Sequence, residues 1–131
     1  MSDRKRLLVV DDHVDITDLI REIAGADGYD VHTLNQSTRF FEQFEQISPD
    51  IVCIDIHMPD VDGIEILRWL SNSGSNARVL ILSGGDPLFT KVAERIGEAA
   101  NLDVRTLVKP FSLSDFRLML RELPETATGA V

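Results

Sequence analysis

A single cysteine, Cys53, leaves the chain without the means for an internal disulfide or a cysteine-built zinc site. No apolar run approaches the ~20 residues that a membrane helix needs. The basic start, Met1 to Arg6, is followed only by Leu7-Leu8-Val9-Val10 before two aspartates. That is too short for a signal-peptide core, so the expected address is the cytoplasm. Basic residues are scarce: 13 Lys and Arg against 22 Asp and Glu give a net charge of −9. This balance opposes nonspecific attraction to DNA, RNA or anionic lipid, so neither nucleic acid nor membrane is an expected partner of this domain. Internal repeats, low-complexity blocks and a Walker-type Gly-rich loop for a nucleotide are all missing.

What is present suits one soluble domain. The chain has 131 residues, 44% apolar and 27% charged. A domain of this size buries roughly 65–70% of its unfolded surface. The expected boundaries are a domain over 1–123 and a tail or linker start over 124–131, where periodicity is lost from Pro124 onward.

Short apolar runs alternate with amphipathic stretches. The runs are Leu7–Val10, Ile51–Ile54, Val79–Leu82 and Thr106–Val108, with a weaker one over Tyr29–Leu34. Near-continuous apolar strands imply a parallel sheet covered on both faces. Between them, Ile16, Leu19, Ile20 and Ile23 share a helical face. So do Phe40, Phe41, Phe44 and Ile47, after an expected N-cap at Ser37, and Ile64, Leu67 and Leu70 after Gly63. Leu88, Val92 and Ile96 repeat after the cap pair Asp86-Pro87. Leu113, Phe116, Leu120 and Leu123 follow Ser112, with Asp115 completing a capping box. Strand then helix, five times, predicts a doubly wound α/β domain with right-handed crossovers.

The polar residues fall at strand ends. The first strand runs into Asp11-Asp12, the third ends at Asp55, the fourth at Ser83, and the fifth at Lys109-Pro110. In an open parallel sheet these carboxyl ends share one edge, where ligands bind at the topological switch point. Each residue alone has a plainer reading. Asp11 and Asp12 could cap a helix, Asp55 could be a loop carboxylate, Ser83 a turn residue and Lys109 a solvated lysine. Together they predict one pocket. Three close carboxylates need a cation, and an all-oxygen set suits Mg²⁺. With Lys109 and a hydroxyl added, the set is that of a phosphoryl site, and Asp55 is the best candidate for a carboxylate nucleophile. Cys53 and the Phe40-Phe41-Phe44 cluster are expected in the core, and Trp69 in helix packing. His13, His32 and His57 are not expected to form a metal site together.

The string Val9-Val10-Asp11-Asp12, then Asp55-Ile56-His57-Met58-Pro59-Asp60-Val61-Asp62-Gly63, then Ser83, then Lys109-Pro110-Phe111, resembles the receiver domain of two-component response regulators, over about residues 5–123. The resemblance implies a flavodoxin-like five-stranded parallel sheet, order 2-1-3-4-5, with five helices. It implies that Asp55 takes a phosphoryl group from a phosphohistidine on a sensor histidine kinase or histidine phosphotransfer protein, becoming an aspartyl phosphate. Asp11, Asp12, Asp55 and the His57 backbone carbonyl would hold Mg²⁺. Ser83 would bond one phosphoryl oxygen and Lys109 another, with a cis bond to Pro110. Gly63 would permit the turn after the phosphorylation loop. The face of the fourth and fifth helices and the fifth strand would carry the signal to an output domain or target protein, and a homodimer is left open.

Three features stand out within the resemblance. Thr106 replaces the usual aromatic that moves with the sensing hydroxyl, so the Ser83–Thr106 switch lacks its ring. His57, two residues past Asp55, flanks the phosphoryl group and is expected to modulate water attack on it; the matching position past Ser83 is Gly85, after the permissive Gly84. The stretch Asn101–Arg105 lengthens the span to Lys109, and reads as an extra helical turn or extended loop, as in receivers joined to cyclic-di-GMP phosphodiesterase domains. A competing reading is a stand-alone Mg²⁺-dependent phosphatase with Asp55 as covalent nucleophile. It places His57 where such enzymes often carry a general-acid aspartate, and the domain is better read as a switch than an enzyme.

Overall fold

The computed structural model describes residues 4–58 and 61–122; Pro59, Asp60, Leu123 and the 124–131 tail lie outside them. Five strands, β1 (Arg6–Val10), β2 (Asp30–Leu34), β3 (Ile51–Asp55), β4 (Arg78–Ser83) and β5 (Val104–Val108), alternate with five helices. These are α1 (Val14–Ala26), α2 (Phe40–Ile47), α3 (Gly63–Asn72), α4 (Pro87–Ala100) and α5 (Leu113–Glu122). All strand pairs are parallel and the order is β2-β1-β3-β4-β5. This is the doubly wound flavodoxin-like topology, with the chain reversing direction across the sheet between β1 and β3.

Strand composition follows strand position. β1, β3 and β4 are interior strands, and Leu7–Val10, Ile51–Asp55 and Arg78–Ser83 are buried throughout. The edge strands β2 and β5 are only half-buried, which is why their apolar pattern is weaker. Alternate side chains divide between two cores. Leu8, Val10, Val52, Ile54, Val79 and Ile81 pack against Phe40, Ile66, Leu67, Leu70 and Ala93 of α2, α3 and α4. Leu7, Val9, Ile51, Cys53, Leu80 and Leu82 pack against Ile20, Ile23, Phe116 and Leu120 of α1 and α5.

Caps explain most helix starts. The Asp86 carboxylate accepts from the Leu88 N–H, with Pro87 opening α4, and Asp62 accepts from Glu65 at the start of α3. Ser112 and Asp115 form the reciprocal box before α5. Ser37 does something else. It opens a short 3₁₀ turn before α2, and its buried hydroxyl accepts from the Val61 N–H, 24 residues away. It ties the entrance of α2 to the loop before α3 instead of capping a helix.

Two more expectations are corrected by packing. α4 does not bury Leu88, which is 65% exposed; its inward stripe is Phe89, Ala93, Ile96 and Gly97. The phase is set by Gly97, where a Cβ would stand 2.5 Å from Val104 Cγ2, so only glycine lets α4 lie this close to β5. Leu113 in α5 is likewise exposed at 45%, while Phe116 and Leu120 carry the contact. The long span after α4 resolves into a 14-residue helix, a left-handed cap at Asn101 and an earlier start of β5, at Val104. β2 starts at Asp30, one residue later than expected, and β3 extends to Asp55.

Candidate functional site

The order of the strands brings the tips of β1, β3, β4 and β5 side by side. Asp11 directly follows β1, Asp55 ends β3, Ser83 ends β4 and Lys109 directly follows β5. The Asp11 main chain is held by neighbouring elements: its N–H donates to the Leu34 carbonyl, and its carbonyl accepts from the Asn35 amide. The Lys109 N–H donates to the Ser83 carbonyl, extending the β4–β5 ladder to the pocket. The Lys109–Pro110 peptide is cis. Gly63 has a steric role rather than a turn role. A Cβ there would lie 2.6 Å from Ile56 Cα and 2.7 Å from the Asp55 carbonyl oxygen, so α3 can start against the end of β3 only with glycine.

The pocket concentrates charge that the fold has buried. Asp11 and Ser83 are fully buried, and Asp55 is 3% exposed. Lys109 Nζ stands 2.8 Å from Asp11 Oδ2 and 3.4 Å from Asp55 Oδ2. The other oxygen of Asp11 accepts from the His13 N–H, and the His13 Nδ1 lies 2.9 Å from it. The same Nδ1 is 3.3 Å from Asp12 Oδ1 and 3.8 Å from Asp55 Oδ2. Asp55 Oδ1 accepts from the His57 N–H at 3.1 Å.

Protonation equilibria reflect the excess of anions. Burial, then the negative charge of Asp11, pushes the Asp55 carboxyl up to about 6, against the opposing pull of the His57 N–H and Lys109. Burial also works against the Lys109 ammonium, but its bonds and attraction to Asp11 and Asp55 outweigh burial and hold its pKa above the usual lysine value. The hydrogen bond to Asp11, reinforced by the charges of Asp11 and Asp12, raises His13 above an ordinary imidazole. Burial pushes the Cys53 thiol up, which leaves it an inert core group.

Asp11, Asp12, Asp55 and Lys109 therefore meet in one pocket. Ser83 lies at the adjacent tip, with its hydroxyl accepting from the Gly85 N–H among the described residues. Thr106 lies within β5, opposite Ile81, and its buried hydroxyl has no hydrogen-bond partner among the described residues. Two residues in or beside the site were not expected. His13 enters the acidic cluster, and Phe89 of α4 meets the His57 ring edge-on, with centroids 4.6 Å apart. Adjacency to Asp12 was the available signal for His13. Phe89 carries no such signal, since it stands beside the equally apolar Leu88.

Three carboxylates against one lysine form a hard, anion-rich donor set, and burial together with the Asp11 charge leaves the Asp55 carboxylate under-compensated. The residues fit a divalent cation such as Mg²⁺. Among the described residues, no helix is long and apolar enough to cross a membrane.

Comparison with known proteins agrees with this geometry. The family model for the response regulator receiver domain matches residues 7–121. The transcriptional regulatory protein TrcR of Mycobacterium tuberculosis is 32% identical over 118 residues, covering 90% of this chain and 44% of that protein. Response regulator MprA of Mycobacterium leprae is 31% identical over 121 residues, covering 90% of this chain and 50% of its own length. The chain thus spans about half the length of these curated relatives. The signal receiver domain of a response regulator from Bermanella marisrubri superposes with a TM-score of 0.81 at 25% identity, covering 92% of this chain and 98% of that one. Chemotaxis protein CheY4 of Vibrio cholerae gives 0.80 at 21% identity, over 92% and 99% of the two chains, a likeness of fold. With its five-stranded order, its acidic tip pocket and a family match over nearly its whole length, this chain belongs to the response regulator receiver domains of two-component signalling.

Proposed function

We propose that the domain is a phosphoacceptor switch in which Asp55 receives a phosphoryl group from the phosphohistidine of a sensor histidine kinase or histidine phosphotransfer protein. The observation that carries this reading is the place of Asp55: a buried carboxylate at a strand tip, 3.4 Å from the Lys109 ammonium and beside two further aspartates. An Asp55 carboxylate oxygen attacks phosphorus, the phosphorus–nitrogen bond breaks, and the imidazole leaves with its electron pair and takes up a proton. Asp11, Asp12, Asp55 and the His57 carbonyl would hold Mg²⁺, which supplies charge neutralisation for the phosphoryl oxygens. Lys109 gives up its contact with Asp55 to pair with a phosphoryl oxygen. The Ser83 hydroxyl leaves the Gly85 N–H to donate to another. The His57 ring, packed on Phe89, screens one approach of water to the new acyl phosphate.

The readout face is that of α4, β5 and α5, where Leu88, Val108, Leu113 and Leu118 are exposed. Phosphorylation shifts a pre-existing equilibrium between two states of this face, a change of a few kcal/mol. Thr106, without an aromatic ring, acts with Ser83 by movement of the β4–α4 loop. The domain assists its own phosphorylation and dephosphorylation but turns over no external substrate. It works in the cytoplasm, over 1–123, joined to an output domain or read by a separate target. Its relatives' greater length supports the joined arrangement.

The test is incubation with a small acyl-phosphate donor and Mg²⁺, read by intact mass. Wild type gains a single phosphoryl group and Asp55→Asn gains none. Labelling of Asp55→Asn, or sustained turnover of an external phosphoester by wild type, overturns the reading; the second result makes the protein a phosphatase.

A further inference from the structure

His13 is absent from the family set of phosphoryl and metal residues, yet from the exposed rim of the pocket its ring reaches the acidic cluster. One atom, Nδ1, touches or approaches all three carboxylates: Asp11 at 2.9 Å, Asp12 at 3.3 Å and Asp55 at 3.8 Å. Lys109 meets Asp11 at Oδ2, the oxygen that His13 leaves free, and approaches the same Asp55 Oδ2 as the imidazole; among the described residues it forms no ion pair with Asp12. The imidazole is the group through which Asp12 joins the cluster.

The backbone of His13 explains why its ring is placed there. His13 is the N-cap residue of α1, in extended conformation, and its carbonyl accepts the first helical bonds, from Ile16 and Thr17. Its own N–H donates to Asp11 Oδ1. The residue is thus held from both sides, while its side chain makes no capping bond to the helix. The ring has no structural duty in α1 and is turned toward the acids. With the side chain 62% exposed, it has room to tilt.

Ligand geometry is also satisfied. The donor atoms of Asp11, Asp12, His13 and Asp55 all lie within 4.8 Å of one another. In an octahedral shell with bonds of about 2.1 Å, adjacent donors stand about 3.0 Å apart and opposite ones about 4.2 Å. The four atoms fit one such shell after small side-chain adjustments. Mg²⁺ takes oxygen and resists replacing it by nitrogen, whereas Mn²⁺ and Co²⁺ accept a mixed shell of carboxylates and imidazole.

We propose that His13 Nδ1, releasing to solvent the proton it shares with Asp11 as the ion enters, is a fourth side-chain ligand of the cation held by Asp11, Asp12 and Asp55, and that it biases this pocket toward borderline divalent ions such as Mn²⁺ over Mg²⁺. The inference rests on the reading of the three aspartates as a cation site, and concerns which ion they take. It identifies His13 as a selectivity residue without a part in phosphoryl transfer.

The experiment uses Mn²⁺ and Mg²⁺ themselves. Pulsed electron paramagnetic resonance of the Mn²⁺-loaded wild-type chain shows nitrogen modulation from a directly bound imidazole. The modulation disappears in His13→Ala and persists in His57→Ala. Calorimetric titration shows the ratio of Mn²⁺ to Mg²⁺ affinity falling by about tenfold or more in His13→Ala, as expected for loss of a nitrogen donor from a borderline ion. Circular dichroism and urea unfolding of His13→Ala confirm that the exposed ring is dispensable for folding. Absence of nitrogen modulation in wild type, its survival in His13→Ala, or an unchanged affinity ratio overturns the role of His13 while leaving the aspartate site standing. Failure of either ion to bind wild type, or undiminished binding to Asp12→Ala, overturns the cation site and the His13 inference together.

Discussion

The bodies of β1, β3 and β4 and the tips of the same three strands are equally buried but built from opposite chemistry. Along the bodies, Leu7–Val10, Ile51–Ile54 and Val79–Leu82 present side chains to two apolar cores. Each such residue stabilises the fold by roughly 1.5–3 kcal/mol relative to leaving it in water. At the tips, the chain buries Asp11, Asp55 and Ser83, and burial there works against the charged groups. The raised pKa of Asp55 is the trace of that opposition. The bodies hold the molecule together, and the tips draw on that stability to keep carboxylates close enough to share a cation and a phosphoryl group.

The largest effect is expected from the bodies' packing layer. Phe40 is fully buried and meets the rings of Phe41, Phe44 and Trp69 at centroid distances of 5.6–6.1 Å. Phe40→Ala should cost about 3–5 kcal/mol, because the rings around it cannot collapse into the space it leaves. Trp69 fluorescence during urea unfolding reads the loss directly. The fraction that remains folded should still label at Asp55 with an acyl-phosphate donor. Loss of labelling in folded protein would show that tip and body are not separable.

A change at the tip should have the opposite sign. In metal-free buffer Asp55→Asn removes one of three crowded carboxylates and should stabilise the domain by about 1–2 kcal/mol at pH 7.5. The pH dependence follows from the direction of the shift. Folding raises the Asp55 pKa from 3.8 to about 6, so the native state binds the proton more tightly than the unfolded chain. The wild type loses stability as pH rises from about 4 to about 6, and carries the full penalty above that. The advantage of asparagine should therefore vanish below pH 4. Equal urea midpoints for the two proteins at pH 7.5 would mean that the pocket carries no such strain.

Much of this contrast could be read from the amino-acid order. Apolar runs announced the strands, and the polar residue after each run announced the pocket, because a parallel sheet gathers its carboxyl ends on one edge. What escaped was anything decided by contact between elements. Leu88 and Phe89 are adjacent and both apolar, so periodicity cannot choose between them; the approach of Gly97 to Val104 turns Phe89 inward. Ser37 has the composition of a cap, yet its partner is Val61, far along the chain. His13 sits next to Asp12 in any reading, but only the conformation at the start of α1 turns its ring onto the three carboxylates.

The smallest structural effect is expected where a tip residue bears no charge. Ser83 is fully buried, and its hydroxyl accepts one hydrogen bond, from the Gly85 N–H, in a loop that water can reach. Ser83→Ala should change stability by less than about 1 kcal/mol, since the methyl group fills most of the same space and water can satisfy Gly85. The phosphorylation rate should respond differently. A donor aimed at developing negative charge is worth on the order of 10²–10³ in rate when it is removed from a site of this kind. Ser83→Ala should therefore label at Asp55 at least about tenfold more slowly, with its urea midpoint nearly unchanged. If stability and labelling fell together, Ser83 would belong with the bodies of the strands, and the distinction between structural length and chemical tip would fail at β4.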